Sequence, residues 1–199
     1  MPDLIKMDMR KYLGYVLYMA LMLVFVVPIF ITPLLGQPYP QLFQTLQALY
    51  APACHQLAER SICYFQDGTI GDCNRDNVAV IGRQQVVDDH GILGYKFPVC
   101  ARDVAIYGAM LLGALLFPFM RRIDDRIAPP LIYFIIALIP IGIDGGTQLI
   151  GLRTSTNELR LITGFIAGIV IPFYVIPILN MFIIGPDKNR DKKQKSSQP

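Results

Sequence analysis

Four long runs of apolar residues divide the 199-residue sequence, and they limit its fold more than any other feature. The first run, Tyr12 to Leu35, carries no charged residue and exceeds the roughly 20 residues that a helix needs to cross a bilayer core. A water-soluble surface could not accommodate such runs, because its helices and strands alternate apolar with polar residues. We therefore predict an all-α membrane protein with a bundle of four transmembrane helices, at about residues 12–35, 104–120, 129–150 and 159–184.

Basic residues flank these runs unevenly. They concentrate in the N-terminal segment, in the short connection at residues 121–128 and in the tail at residues 186–199, whereas the other short connection offers only Arg153 and Arg160. Short cytoplasmic loops carry an excess of Lys and Arg. The pattern thus predicts a single membrane domain, residues 1–199, in the cell membrane, with both termini in the cytoplasm. A basic tail beside a membrane helix is typical of a cytoplasmic anchor, so nucleic acid is not an expected partner.

Residues 36–103 would then form an extracytoplasmic cap. Leucines recur at helical spacing from Gln41 to about Ala51, which predicts an amphipathic helix on the bundle or bilayer surface. Pro52 fits the first turn of a second short helix carrying Cys54 to Ser61. From Cys63 to Pro98 the chain is rich in Gly, Asp and Asn, which is typical of loops or short hairpins. The cap is therefore expected to consist of helices and loops.

All the cysteines fall on the cap side of the predicted membrane. An even number of cysteines in an oxidising compartment indicates disulfides first. Cys63 and Cys73 enclose a short, turn-rich loop and are the favoured pair. Cys54 and Cys100 are then a second disulfide, a metal-binding pair or redox-active thiols. With His55 beside Cys54, the candidate metal ligands are Cys54, His55 and Cys100, of a chemistry that suits zinc or copper.

Asp144 lies inside the third apolar run, with Gln148 one helical turn further on and so on the same face. An ionisable group at that depth is costly in lipid and usually faces protein, a cavity or an opposite charge. Arg160 is its predicted partner. Gly164 and Gly168 follow Arg160 on one helix face and would let another helix approach closely. If that helix is the third, Asp144 and Arg160 meet beneath the cap, either as a lock between helices or as part of a polar pocket.

The starts of the second and fourth predicted helices add further polar groups. Asp103 is suited to the first turn of the second membrane helix, and Arg102 should reach lipid headgroups or pair with a carboxylate. Ser155 and Glu158 have the spacing of a capping box that would start the fourth helix. The turn at residues 153–157 is rich in hydrogen-bond donors and could bind an anion such as a phosphate or a lipid headgroup.

Three polar blocks lie between the apolar runs or extend into them. They are Cys54-His55-Gln56 with Arg60-Ser61, then Phe97 to Asp103, then Asp144 and Gln148 with Arg153, Ser155, Asn157 and Arg160. Together they resemble the blocks of a family of small prokaryotic predicted membrane proteins of unknown function. The resemblance covers about residues 50–168, although the Cys63–Val87 stretch falls outside its pattern. It implies that the polar cluster on the outer face belongs to a common design, and it implies no particular activity.

We therefore predict a polar site beneath the cap for redox, metal-dependent or lipid-linked chemistry. The alternative is a non-catalytic subunit or assembly factor of a membrane complex, whose polar residues fix helix packing and contact a membrane-protein partner. A transporter is disfavoured because the two halves of the chain lack internal symmetry. The candidate catalytic residues are Cys54, His55, Cys100, Arg102, Asp103, Asp144, Gln148 and Arg160.

Overall fold

The computed structural model describes residues 2–54, 57–74, 79–81 and 84–185. The described residues contain four helical segments that are long and apolar enough to cross a membrane: Arg10–Leu35, Ala101–Met120, Leu131–Leu149 and Asn157–Ile184. They correspond to the four predicted spans. The α-helices are α1 Pro2–Ile31, α2 Pro40–Tyr50, α3 Ala101–Met120, α4 Leu131–Leu149, α5 Asn157–Val170 and α6 Pro172–Ile184.

The fourth span is two helices rather than one. Pro172 occupies the first position of α6, where its missing N–H breaks the helical hydrogen-bond ladder between α5 and α6. The backbone nevertheless stays helical across the junction, since the Ile171 carbonyl accepts from the Val175 N–H at 3.0 Å. The first span likewise ends in a short 3-10 helix, Thr32–Leu35, rather than in a regular α-turn.

The closest approach between helices joins α3 and α5. A Cβ added to Gly164 would lie 2.6 Å from the Arg102 carbonyl oxygen, and one added to Gly168 would collide with the Ile106 carbonyl. The glycine stripe is therefore used as predicted, but its partner is the second membrane helix and not the third. The small side chains that face it on α3, such as Ala105, explain this choice, because two small surfaces pack most closely.

Helix α4 is the least buried of the four spans. Throughout its described length, the buried residues are Ala137 and Asp144. Its other apolar side chains are mostly exposed, among them Ile132, Ile136 and Ile143. Such a surface suits lipid or a partner helix, and it leaves α4 with little apolar core of its own inside the chain.

The prediction of an all-α protein is wrong for the cap. A five-stranded antiparallel sheet, in the order β2-β1-β5-β4-β3, lies between α2 and α3 in sequence. Each strand has only three or four residues, which is too short for an apolar alternation to be read from the sequence. The strands are β1 Ile62–Phe65, β2 Ile70–Asp72, β3 Ala79–Ile81, β4 Gln85–Val87 and β5 Leu93–Lys96.

A disulfide and a helix fix this sheet. Cys63 and Cys73 form the predicted disulfide, with an S–S distance of 2.04 Å, and both are fully buried. Helix α2 is the predicted amphipathic helix, and its Gln47 amide donates to the Lys96 carbonyl at 2.6 Å. Tyr50 at its end donates to the Phe25 carbonyl of α1 at 2.5 Å, which ties the cap to the bundle.

The prediction of a second short helix in the cap, carrying Cys54 to Ser61, is wrong. Cys54 has extended dihedrals, φ −151° and ψ 141°, and Leu57 is extended as well. Among the described residues of this stretch, which exclude 55 and 56, the helical structure is the 3-10 turn Ala58–Arg60. The segment is polar and lacks an apolar face three or four residues apart, so nothing in its packing favours a longer helix.

The start of α1, the α3–α4 connection and the end of α6 meet at the end of the bundle opposite the cap. Arg126 donates to the Gly185 carbonyl at 3.1 Å, and Asn180 donates to the Ile123 and Asp125 carbonyls at 2.8 Å each. Gly14 of α1 lies directly against Asn180. We call this the basic end of the bundle and the opposite one the cap end.

Candidate functional site

Asp144 is buried among polar partners at the cap end. Its residue is 1% exposed, and its Oδ1 accepts from Arg153 Nη2 at 2.8 Å. Its Oδ2 accepts from Ser155 Oγ at 2.9 Å and is ion-paired with Arg102 Nη2. The two arginines approach from α3 and from the α4–α5 turn, so the carboxylate joins three parts of the bundle. The prediction that this carboxylate is held among polar partners is confirmed.

The partner predicted for Asp144 is wrong. Arg160 does not bond to it but donates through Nη1 to Asn157 Oδ1 at 2.7 Å and to the Glu59 carbonyl at 3.4 Å. The reason is the position of Arg160 in the first turn of α5, from which the side chain reaches the 3-10 turn of the cap. Arg102, in the first turn of α3, takes the place beside Asp144.

Gln148 lies between two further guanidinium groups. Its amide oxygen is assigned to the position 3.1 Å from both Arg60 Nη2 and Arg160 Nη2, because the opposite orientation would set amide N–H groups against N–H donors. Asn157, which binds Arg160, also donates to Asp72 Oδ1 at 3.0 Å. This group of side chains connects α4, α5 and the sheet of the cap.

The predicted capping box at Ser155 and Glu158 is displaced by one residue. The N-cap of α5 is Thr156, whose hydroxyl oxygen accepts from the Leu159 N–H at 3.4 Å. Because Thr156 fills the cap, the Ser155 hydroxyl is available to donate to Asp144. The side chain that the sequence assigned to helix capping therefore belongs to the polar group around Asp144. We call this group the charge network; its residues are Arg60, Arg102, Asp144, Gln148, Arg153, Ser155, Asn157 and Arg160.

Two thiols and a carboxylate converge at the start of α3. The Sγ atoms of Cys54 and Cys100 and a carboxylate oxygen of Asp103 all lie within 4.8 Å of one another. Cys100 is the N-cap residue of α3, and its thiol donates to Asp103 Oδ2 at 3.0 Å. Among the cysteines, all of which the structure describes, the disulfide joins Cys63 to Cys73, and Cys54 and Cys100 are thiols.

The surroundings of this cluster are half-buried and contain a cation. The hydrogen bond with Cys54, burial and the neighbouring Asp103 carboxylate raise the pKa of the Cys100 thiol, which is therefore protonated at neutral pH in the metal-free protein. Burial lowers the pKa of Lys96 to about 8, although the nearby Cys54 acts in the opposite direction. Lys96 is 1% exposed and was not anticipated from the sequence.

The candidate residues thus form two adjoining groups. Cys54, Cys100 and Asp103 form the thiol cluster; Arg102, Asp144, Gln148 and Arg160 belong to the charge network, and His55 lies outside the described residues. The sequence analysis did not predict Arg153 and Ser155 as hydrogen-bond partners of Asp144. Their signal was available, since both lie in the third polar block and close to Asp144 along the chain.

The comparisons with known proteins confirm the family. A family model described as predicted membrane protein, DUF2085, matches residues 90–174. An uncharacterized protein of Methanocaldococcus jannaschii is 38% identical over 176 residues, which cover 85% of this chain and 94% of the relative. The chain belongs to this family.

A second relative and the comparison with solved structures add less. An uncharacterized protein of Methanothermobacter thermautotrophicus is 43% identical over 79 residues, 38% of this chain and 67% of the relative. No solved structure matches the chain. The segment that the DUF2085 model matches runs from the end of the cap to α6. It includes the Cys100, Asp103 and Asp144 positions, so the two groups of polar residues lie largely within the part that defines the family.

Proposed function

We propose that this DUF2085 protein is a multi-pass protein of the cell membrane with its cap outside and both termini in the cytoplasm. The support is the charge of the basic end. Arg121, Arg122 and Arg126 of the short α3–α4 connection lie there, and the N-terminal segment and the tail add further basic residues. Short basic loops are retained in the cytoplasm. The cap, as a long segment, is translocated largely regardless of its charge.

Labelling with a membrane-impermeant maleimide tests this orientation. Asp89→Cys in an exposed turn of the cap should react in intact cells, whereas Asp124→Cys at the basic end should react only after the membrane is permeabilised. The wild-type protein serves as the blank for its native thiols. Reaction of Asp124→Cys in intact cells, with Asp89→Cys protected, would reverse the orientation.

We propose further that the cap end binds a thiophilic metal ion, Zn²⁺ or Cu⁺, through Cys54, Cys100 and Asp103. The single observation that carries this proposal is the convergence of two sulfurs and one carboxylate oxygen within 4.8 Å. Sulfur atoms around a tetrahedral ion with metal–sulfur bonds of about 2.3 Å stand about 3.8 Å apart. A separation at the 4.8 Å limit would have to shorten by about 1 Å, whereas Cys100 Sγ and Asp103 Oδ2, now 3.0 Å apart, would have to move slightly apart. Thiolates favour such soft or borderline ions over Mg²⁺ and Ca²⁺.

The geometry suits metal binding better than it suits a second structural disulfide. A disulfide would leave the Asp103 carboxylate, 3.0 Å from the Cys100 sulfur, without a role, whereas a metal ion would take it as a third ligand. The three donors come from two separated segments, the loop after α2 and the first turn of α3, so an ion would join the cap to the bundle. A half-buried position leaves room for a fourth ligand from solvent or from a substrate.

Metal titration of the purified protein tests this site. We expect one Zn²⁺ or Cu⁺ per chain, and Cys54→Ser or Cys100→Ser should weaken binding by about 100-fold or more, since even outer-shell changes cost 10- to 100-fold. Asp103→Asn should weaken binding as well. Glu158→Gln, at an exposed carboxylate of the cap end, is the matched control and should bind as the wild type does.

Besides a failure of the wild type to bind metal, two results would contradict the metal site. One is equal affinity in all four variants. The other is a Cys54–Cys100 disulfide in the protein as isolated from the membrane, detected by the absence of alkylation at these residues under denaturing conditions without reductant.

The exposed surface of α4 favours a second candidate, a non-catalytic subunit or assembly factor. Ile132, Ile136 and Ile143 form an apolar surface that a helix of a membrane partner could cover. Under this alternative the polar residues only fix helix packing. A well-folded Cys54→Ser/Cys100→Ser double variant, combined with no metal binding by the wild type, would favour it over the metal site.

A further inference from the structure

The charge network contains more positive charge than its carboxylate neutralises. Asp144 is ion-paired with both Arg102 and Arg153. Arg60 and Arg160 lie next to this pair, and among the described residues their hydrogen-bond partners are neutral oxygens of Gln148, Asn157 and the Glu59 backbone. The network thus contains four guanidinium groups, of which two contact its buried carboxylate, Asp144. The Asp72 carboxylate, which Asn157 binds, is exposed to solvent.

An uncompensated cation is expensive at this depth. Arg160 is 4% exposed, and a buried charge is stabilised only by an opposite charge or a full set of hydrogen bonds. Its three neutral acceptors supply hydrogen bonds but no negative charge. The Asp144 carboxylate acts on Arg160 at longer range, but it is already ion-paired with Arg102 and Arg153. Because Arg60 points at the same Gln148 oxygen, the two like charges also repel each other. An anion beside Gln148 would relieve both costs.

The network also holds N–H groups to bind such an anion. A guanidinium has five N–H donors, and Arg60 uses one of them on Gln148. Arg60 itself is exposed, so the group opens to solvent at the 3-10 turn of the cap.

We propose that Arg60 and Arg160, with Gln148 between them, bind an oxyanion of the phosphate class. Guanidinium forks match the oxygens of phosphate with two parallel hydrogen bonds, which a halide cannot use. The ligand is a free phosphate or the phosphate of a lipid headgroup, since the site lies where the span of α5 begins. This site goes beyond the metal proposal, because none of its residues is a proposed metal ligand.

Two binding measurements on the full chain test the site and distinguish the sources. The first is equilibrium dialysis of radiolabelled inorganic phosphate against delipidated protein in a non-ionic detergent. The second is native mass spectrometry of protein reconstituted into phosphatidylcholine vesicles doped with phosphatidic acid. Saturable phosphate binding identifies a free anion as a ligand, and one retained phosphatidic acid per chain identifies a headgroup.

Three variants test whether the oxyanion binds at Arg60 and Arg160. Arg60→Gln keeps both ion pairs of Asp144 and should weaken oxyanion binding about 10- to 100-fold, the value of one charge-assisted hydrogen bond. Arg160→Lys keeps the charge but loses the fork, and it should weaken binding too. Arg122→Gln, at the basic end with its side chain 86% exposed, is the matched control and should bind normally.

The proposal is overturned if neither probe binds saturably, or if Arg60→Gln binds as tightly as Arg122→Gln in both measurements. Repeating both measurements on protein stripped of metal by a chelator separates this proposal from the metal site. Oxyanion binding should stay within about twofold of the untreated protein, because none of Arg60, Gln148 and Arg160 is a proposed metal ligand.

Discussion

Asp144→Asn should destabilise the folded protein by about 3 kcal/mol, at the low end of the range for breaking a buried ion pair. The substitution leaves Arg102 and Arg153 without their counter-charge, and the partly exposed Arg153 can recover some hydration. The lost ion pairs also hold α4 in the bundle, since the other buried residue of α4 is Ala137. We therefore expect α4 to separate first from the α3–α5 pair. Denaturant titration in mixed micelles, read by cross-linking between α4 and α5, measures both effects.

The control for this experiment lies at the opposite end of the bundle. Asp124 pairs with Arg122 at 3.2 Å, and the arginine side chain is 86% exposed. Asp124→Asn should therefore cost less than about 1 kcal/mol. Equal destabilisation by the two substitutions would show that Asp144 does not anchor α4. The folded fraction of Asp144→Asn should still bind metal, because Asp144 is not among the proposed ligands.

Gly168→Val should cost about 3 kcal/mol, because a Cβ at this position collides with the backbone of α3 at Ile106. Backbone cannot move aside as a flexible side chain can, so α3 and α5 must separate along their seam. Gly142→Val is the matched control, since a Cβ at Gly142 meets no atom within 4 Å. Both variants carry the same change in helix propensity. The difference between their unfolding free energies therefore isolates the packing cost.

A difference of less than about 0.5 kcal/mol would contradict the close contact of α3 with α5, since surface substitutions away from special features stay within that range. The thiol cluster serves as an internal control in Gly168→Val. Cys100 and Asp103 should stay together when the two helices separate, because both lie within one turn at the start of α3.

The four long apolar helices could be predicted from the sequence, because a bilayer core requires about 20 apolar residues for each crossing. The sheet of the cap could not. Strands such as β2 Ile70–Asp72 have three residues, and their pairing depends on contacts between residues far apart in sequence. The disulfide between Cys63 and Cys73 was predictable because the loop that it closes is short.

The charge network was predicted in kind but not in its pairs. A carboxylate inside an apolar run requires a partner, and this followed from Asp144 alone. The choice between Arg102 and Arg160 did not follow, because each occupies the first turn of a membrane helix. The choice depends on how α3 packs against the glycine stripe of α5, where Gly164 faces the Arg102 backbone. The convergence of Cys54 on Cys100 depends in the same way on a loop whose path no local pattern indicates.

The thiol cluster is the central claim, and X-ray absorption at the metal edge of the zinc- or copper-loaded protein tests it most directly. The site predicts two sulfur neighbours, at about 2.3 Å for zinc, with oxygen or nitrogen completing the shell at about 2.0–2.2 Å. Loss of one sulfur neighbour in Cys54→Ser and in Cys100→Ser would assign each thiol. A shell of oxygen and nitrogen alone in the wild-type protein would contradict the account.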